Sequence, residues 1–274
     1  MKQLGRTKPS NAWWKSACAN SDTSRVRHYL TAWILLLDIY TQSMETLESV
    51  SRVGRERLYP SLTNPHWLVL RKRRQIFQKW MERANGRELE VLDLGGRIQP
   101  YRPLLEGRLH RYVALDVRAT PLVNILARGE QMPLAPGKFD LVICTQVFEY
   151  VSDPALVTAE IHRVLKPGGG LLLSAPAMGI RDAEEDGWRF LPAAWKHLLR
   201  EFSEFEIVPE GGNIGGFFRM VNAFLNAFLR YRLLQTLFRF TLCPILNLSG
   251  DLLDRIGSNR SDYFSTNYSV WARK

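Results

Sequence analysis

The stretch from Glu90 to Asp116 constrains this chain more than any other. The apolar pair Val91-Leu92 leads into Asp93-Leu94-Gly95-Gly96, and a second apolar run, Tyr112 to Leu115, leads into Asp116. A strand, a glycine turn, a helix and a second strand that ends in an acid form half of a nucleotide-binding unit. The glycine turn lets the backbone approach a ligand, and the second acid accepts hydrogen bonds from ribose hydroxyls. The pattern therefore predicts an α/β domain that binds a nucleotide-like ligand.

Short apolar runs alternate with helical patterns through the rest of the chain. We expect strands near 90–94, 112–116, 139–144, 170–175, 205–208 and 267–272, and helices near 100–106, 154–165 and 191–201. This alternation is typical of a parallel sheet whose two faces are covered by helices. We therefore assign residues 87–274 to one catalytic domain.

The amino-terminal third carries most of the positive charge. Residues 1–85 hold 15 Lys/Arg and 6 Asp/Glu, whereas residues 86–274 hold 22 and 21. A nearly neutral body argues against nucleic acid as a partner, because such a partner needs a basic face on the domain itself. Residues 1–43 resemble a weak signal peptide, but a disordered extension, or sequence upstream of a start at Met44, explains them better.

Residues 44–86 are expected to form a helical amino-terminal segment. Within it, 44–62 are polar and predict irregular or weakly helical structure. Asn64 and Pro65 predict the start of a helix that continues to about Ala84. The charge run Arg71-Lys72-Arg73-Arg74 on that helix is expected to be a solvated face. The three cysteines are odd in number and widely spaced, so neither a disulfide framework nor a metal site is predicted, and a cytoplasmic location is the default.

Residues 213–257 form an apolar insert before the last strand. Phe217, Phe218 and Phe224 belong to a run of large apolar residues that arginines interrupt, which predicts two helices. The insert is either a lid over a substrate pocket or a surface that contacts the membrane interface, with arginines at the headgroups. We favour contact with a membrane or a lipid substrate, which would place the protein peripherally at the inner membrane face.

Four motifs in a fixed order carry a family resemblance. They read VLDLGG, YVALDV, GEQMPLAPGKFDLVICTQVFEYVSDP and EIHRVLKPGGGLLLSAP. This order resembles the class I S-adenosylmethionine-dependent methyltransferases, in particular the bacterial type 11 group. The resemblance implies a Rossmann-like sheet of seven strands with the last strand antiparallel, and S-adenosyl-L-methionine as the cofactor.

The resemblance also implies a role for individual residues. Two groups would surround the methionine and ribose portions of the cofactor, namely Asp93, Gly95, Gly96 and Asp116 at the first two strands and Cys144, Thr145 and Gln146 under the methionine. A third group would lie beside the adenine, namely Val117, Glu130, Gln131 and Met132. Three residues are expected to face the acceptor, namely Glu149, Tyr150 and Arg189.

The chain departs from the family's D-x-G-x-G-x-G pattern, because Arg97 and Gln99 occupy the second and third glycine positions. Side chains there predict a narrower loop or a shifted backbone. Two functions therefore remain open. The first is methyl transfer to an oxygen or carbon of a small or lipid-linked acceptor, by analogy in cell-surface polysaccharide or lipid metabolism. The second is a non-catalytic binding or scaffold module. Methyl transfer needs no protein nucleophile, and the sequence assigns no general base.

Overall fold

The structure is a computed structural model that describes residues 46–84, 86, 88–257 and 262–274. The expected extension at 1–43 lies outside these residues. The helices are α1 (Leu47–Leu58), α2 (Trp67–Met81), α3 (Pro154–Val164), α4 (Pro192–Leu198), α5 (Asn213–Phe228), α6 (Arg232–Phe240) and α7 (Leu242–Ile256). The strands are β1 (Leu89–Leu94), β2 (Leu109–Asp116), β3 (Ile125–Leu126), β4 (Phe139–Thr145), β5 (Leu165–Pro176), β6 (Glu204–Pro209) and β7 (Asn267–Arg273).

The seven strands form one sheet in the order β3-β2-β1-β4-β5-β7-β6. β1 to β5 pair in parallel, and β7 runs antiparallel to both β5 and β6. The expected Rossmann-like sheet with an antiparallel last strand is therefore confirmed. The pattern of apolar runs in the sequence did not predict β3, because a strand of two residues is too short to show a hydrophobic pattern. The helix expected at 100–106 is a single 3-10 turn at Arg102–Leu105.

Alternate residues of the central strands enter two separate cores. On one face, Leu92, Val142 and Leu171 pack with apolar side chains of α3 and α4. On the other face, Val91 and Leu141 pack with side chains of α1 and α2. Because both faces are buried, the strands read as continuous apolar runs and not as an apolar-polar alternation. The carboxyl ends of β1, β2 and β4 consequently meet at one edge of a rigid sheet.

The segment at 44–62 differs from its expectation, because residues 47–58 form a regular helix. The Thr46 hydroxyl accepts a hydrogen bond from the Ser49 backbone N–H at 3.2 Å and caps it. Val50 and Leu58 are buried on its inner face. Tertiary packing therefore stabilises this helix, which the polar composition of the segment did not predict.

The amino-terminal segment differs from expectation at Asn64 and Arg73 as well. His66, and not Asn64, occupies the cap position of α2, and the Asn64 side chain instead accepts from the His66 N–H in the preceding turn. Arg73 is not part of a solvated face. Its side chain is 1% exposed and forms an ion pair with Glu210 at 2.8 Å.

The insert at 213–257 contains three helices, and not two as expected. A break at Leu229–Tyr231 separates α5 from α6, and Thr241 separates α6 from α7. Asn222 of α5 donates to Asn247 of α7 at 2.9 Å, and Arg71 of α2 pairs with Asp251 of α7. These polar contacts fix α5 and α7 on the domain. Among the described residues, no helix is long and apolar enough to cross a bilayer.

Candidate functional site

The loop after β1 brings the backbone close to its neighbours. Gly95 has a φ of +81°, which favours glycine, and its N–H donates to the Leu115 carbonyl of β2 at 2.8 Å. A Cβ on Gly95 would lie 2.2 Å from Val147, just after β4, and one on Gly96 would lie 2.7 Å from the Asp93 carbonyl oxygen. The backbone of this loop can therefore lie this close to Val147 and Asp93 only because both positions are glycine.

One of the two side chains that replace glycines, that of Gln99, bonds to the segment after β2. Gln99 has a φ of +43°, so it adopts the left-handed conformation that glycine usually supplies. Its buried amide donates to the Leu122 carbonyl at 2.8 Å and accepts from Arg102. The Arg97 carbonyl accepts from Thr120 at 2.9 Å. These bonds join the glycine loop to the segment after β2.

Two acids lie at the carboxyl ends of β1 and β2. Asp93 is buried and accepts a hydrogen bond from the Tyr112 hydroxyl at 2.6 Å. Burial raises the pKa of Asp93 to about 7, against the Tyr112 hydrogen bond that lowers it, and the negative charge of Asp116 adds to the increase. One carboxylate oxygen of Asp116 accepts from the Arg118 N–H at 2.9 Å. The other Asp116 oxygen has no hydrogen bond within the described part of the chain and is available to a ligand.

The residues expected beside the adenine differ in accessibility. Val117 is 66% exposed, so a ring can stack on its side chain. Glu130 accepts two hydrogen bonds from Ser152, at 2.8 and 2.7 Å, and Gln131 is exposed. Burial alone would raise the pKa of Glu130, but the Ser152 hydrogen bonds outweigh it and hold that pKa below its usual range. Met132 is buried in the apolar core, so a cofactor would not reach its side chain.

The end of β4 lies between the glycine loop and a large cavity. Cys144 is fully buried in the core, whereas Thr145 and Gln146 are partly exposed. Gln146 has a φ of +54°, and its N–H donates to the Ser174 carbonyl at 2.8 Å. Among the residues expected to bind the cofactor, Gln146 alone also lines this cavity. It therefore marks the boundary between the glycine-loop region and the cavity.

The cavity has a volume of about 410 Å³, which is the size of a site for a small organic molecule. Its walls come from α1, α2, the segments after β4 and β5, and α5. Val69, Met178 and Ile180 supply apolar surface, and Ala223 and Ala227 of α5 leave room for a ligand. The amino-terminal helices and the insert therefore build the cavity together with the segments after β4 and β5. The lid hypothesis places the insert at such a pocket, whereas no sequence pattern indicated the contribution of α1 and α2.

The structure brings Glu149, Tyr150 and Arg189 together in this cavity. The Tyr150 hydroxyl donates to Asp182 at 2.8 Å, and the Arg189 guanidinium forms two hydrogen bonds with the Asp186 carboxylate. Both side chains are therefore already engaged, and any contact that they make with an acceptor would be an additional one.

Glu149 has an unusual environment. Its side chain is only 4% exposed, and its Oε2 atom has no hydrogen-bond partner in the described structure. Burial raises the pKa of Glu149 to about 7, although the positive charge of Arg73 partly opposes the increase. A buried carboxyl group that titrates near neutrality next to an open cavity is suited to accept a proton.

Comparison with known proteins gives a match in the same region. Residues 92–173 match a family model described as "Methyltransferase domain". A ubiquinone biosynthesis O-methyltransferase of Pseudomonas paraeruginosa is 41% identical over 75 residues, which cover 26% of this chain and 30% of that protein. A probable S-adenosylmethionine-dependent methyltransferase of Mycolicibacterium smegmatis is 28% identical over 131 residues, covering 44% and 50%.

The sequence matches to these two relatives cover only part of each relative's length. The chain spans between about three tenths and one half of the length of these two proteins. A solved structure of an Archaeoglobus fulgidus SAM-dependent methyltransferase superposes with a TM-score of 0.47 at 13% identity, over 81% of this chain and 98% of that one. The matched sequence covers β1 to most of β5, whereas α1, α2 and the insert lie outside it.

Proposed function

We propose that this chain, which belongs to the type 11 methyltransferase family through residues 92–173, transfers a methyl group from S-adenosyl-L-methionine to a small acceptor. The observation that carries the proposal is the adjacency of two sites. The glycine loop and Asp116 lie at the carboxyl ends of β1 and β2, and the cavity of about 410 Å³ reaches Gln146 at the end of the neighbouring strand β4. An acceptor in that cavity would lie next to a methyl donor held by the strand ends.

The residues at the strand ends fit the cofactor. Gly95 and Gly96 let the loop backbone lie against Val147 and Asp93, and Asp116 retains a carboxylate oxygen for the ribose hydroxyls. Val117 offers an exposed apolar surface to the adenine, and Glu130 and Gln131 would also lie beside that ring. The cofactor, when bound, supplies a methyl group already activated by its sulfonium. The protein therefore needs mainly to align the acceptor, which is a proximity effect.

An oxygen acceptor fits the cavity best. A hydroxyl group must lose its proton as it accepts a methyl group, and Glu149 would remove that proton. Its buried carboxyl group lines the cavity and has one oxygen without a partner in the described structure. The ubiquinone biosynthesis relative is named as an O-methyltransferase, which agrees with this assignment.

Calorimetric titration with S-adenosylhomocysteine tests the proposal before any acceptor is known. We expect micromolar-range binding, and we expect Asp116→Ala to weaken it. If folded protein gives neither heat nor a thermal shift with this ligand, the chain is a binding or scaffold module and not an enzyme.

The insert supports a further part of the proposal, which is contact with an anionic membrane surface. Leu233, Phe240 and Ile256 are 78, 70 and 73% exposed. Residues 213–250 contain four arginines and no acid. At roughly 25 cal/mol per Å², even a few hundred Å² of apolar surface favours a lipid interface by several kcal/mol. The arginines add attraction to anionic headgroups, so a lipid-linked acceptor would be presented at the cavity.

A further inference from the structure

The charged side chains around the acceptor cavity are unevenly paired. The following charged or titratable residues face it: Glu56, Arg57, His66, Arg73, Glu149, Asp182, Asp186, Arg189 and Arg219. Arg73 is neutralised by Glu210, and Arg189 by Asp186. Asp182 accepts the Tyr150 hydroxyl, and Glu56 is exposed to solvent. Among the described residues that face the cavity, these pairings leave two cations without an ion pair, Arg57 and Arg219, together with Glu149 and His66. The charge of Glu149 acts on Arg57 but does not offset its burial.

Neither Arg57 nor Arg219 forms an ion pair with any described residue. Arg219 has only long contacts, at 3.5 Å to the Met178 carbonyl and 3.6 Å to the Met220 sulfur, and its Nε atom is buried without a partner. Burial and then the charge of Arg73 lower the pKa of Arg219 to about 10, and the same two causes lower the pKa of Arg57. Both guanidinium groups therefore carry charge at a cost that an anion would offset.

The two arginines belong to different walls of the cavity. Arg57 lies on α1, three residues after Gly54, whose Cβ position would lie 2.3 Å from the Ile98 carbonyl oxygen of the glycine loop. Arg219 lies on α5, one helical turn before Ala223. A ligand between them would touch the cofactor side and the insert side together. Guanidinium groups bind carboxylate and phosphate oxygens in particular, because their donors match that planar geometry.

We propose that the acceptor carries an anionic group, a carboxylate or a phosphate, which Arg57 and Arg219 bind, while its apolar part packs on Val69, Met178 and Ile180. This inference rests on the proposed function, since it names the substrate class of the same site. The anion anchors the acceptor, so that its reacting atom is held near Glu149 and the boundary at Gln146. The insert thereby determines which acceptors the chain accepts.

The competing explanation is that these arginines bind the carboxylate of the cofactor itself. The test therefore uses protein saturated with S-adenosylhomocysteine, in which that carboxylate is already bound. Phenyl phosphate, benzoate and the uncharged benzyl alcohol are titrated at constant ionic strength, and the melting temperature and binding heat are recorded. The first two probes distinguish a phosphate from a carboxylate, and the third measures the apolar contribution alone.

We expect at least one anionic probe to bind to the saturated protein more tightly than benzyl alcohol does. Arg219→Gln and Arg57→Gln should each weaken that binding by about tenfold or more. Arg230→Gln and Arg52→Gln, at exposed positions on or beside the same helices, should leave it unchanged. Affinity for S-adenosylhomocysteine should survive in Arg219→Gln.

Three results would overturn the inference. The first is equal binding of all three probes, and the second is equal loss in the test and control variants. The third is anion binding that occurs only without S-adenosylhomocysteine, because the arginines would then serve the cofactor carboxylate. Failure of wild-type protein to bind S-adenosylhomocysteine would instead reject the proposed function, so the two failures are distinguishable.

Discussion

Gly95 lies directly against Val147, so that a Cβ on the glycine would be 2.2 Å from Cγ2 of the valine. This contact joins the loop after β1 to the loop after β4. Gly95 also has a φ of +81°, which a residue with a side chain adopts only with strain. The conformation of the loop after β1 therefore depends on the absence of a side chain at Gly95.

Gly95→Ala should destabilise the fold and remove S-adenosylhomocysteine binding, because Val147 must move when the alanine methyl is added. Gly107→Ala is a matched control, since Gly107 has a φ of +79° but no atom within 4 Å of its Cβ position. We expect Gly107→Ala to cost only about 1 kcal/mol, from backbone strain, and Gly95→Ala to cost more. Urea unfolding and calorimetry measure the two effects. Equal losses of stability, with binding retained in both variants, would contradict the close contact.

Asp116→Ala should weaken S-adenosylhomocysteine binding by about 2 kcal/mol, roughly thirtyfold, because the ribose hydroxyls lose a charged acceptor. Asp182→Ala is the control, since Asp182 lies in the acceptor cavity and accepts from Tyr150. Calorimetric titration of both variants at one salt concentration gives the comparison. An unchanged dissociation constant in Asp116→Ala would show that the acid only shapes the turn at Arg118.

Arg73→Met should destabilise the protein by about 3–5 kcal/mol, because it leaves the Glu210 carboxylate buried without its cation. Glu210 also accepts hydrogen bonds from Ser174 and Ser269, at 2.5 and 2.6 Å, so this pair joins α2 to β5 and β7. Adding Glu210→Gln to Arg73→Met should recover part of the loss, since the remaining buried group is then neutral.

The exposed pair Arg83–Glu206, at 2.6 Å, provides the control for the buried one. Arg83→Met should cost less than about 1 kcal/mol, because water solvates both charges after the change. Urea denaturation of all four proteins measures these differences. Similar costs for Arg73→Met and Arg83→Met would show that burial does not govern the Arg73–Glu210 pair.

Asp93 and Glu149 should make stability fall as the pH rises. Burial raises the pKa of each to about 7, so the folded protein keeps two protons that the unfolded chain releases at lower pH. Their contribution is full below the unfolded pKa and is lost as the pH rises through 7. Asp93→Asn and Glu149→Gln should therefore increase stability relative to wild type at about pH 8 more than at about pH 5.

Chemical denaturation at the two pH values measures this difference, with the exposed Glu184→Gln as the control. The control should change stability equally at both values. If Glu149→Gln behaves like Glu184→Gln, Glu149 is ionised in the free protein at lower pH than inferred, and its role as a proton acceptor near neutrality loses its support.

The protein should sediment with vesicles that contain anionic lipid, and less so at high salt, because salt screens the arginine–headgroup attraction. The double change Leu233→Ser and Phe240→Ser should reduce sedimentation without affecting S-adenosylhomocysteine binding, since α6 does not line the cavity. Leu156→Ser removes an exposed leucine of α3 and should leave sedimentation unchanged. Wild-type protein that stays in the supernatant at low salt would favour the lid hypothesis for the insert.

The sequence by itself determined the sheet and the placement of Gly95 and Asp116 at its carboxyl edge. The apolar runs that lead into Gly95 and Asp116 identify two strands from local sequence alone. The carboxyl ends of neighbouring parallel strands lie at the same edge of the sheet, so these two residues are expected close together. For the same reason Glu149, which follows β4, could be expected near the acceptor from its position alone.

Only the tertiary structure decided the acceptor cavity and its charges. Arg73 and Arg71 belong to one charge run in the sequence, but Arg73 is buried against Glu210, 137 residues away, and Arg71 pairs with Asp251, 180 residues away. Likewise Arg57 and Arg219 line one cavity although their helices, α1 and α5, are far apart in the chain. Periodicity and spacing predict the local secondary structure of a segment. The burial and ion pairing of its side chains depend on which distant segment packs against it. The cavity that we propose for the acceptor therefore combines motif residues such as Gln146 and Glu149 with helices that pack against them from outside the four motifs.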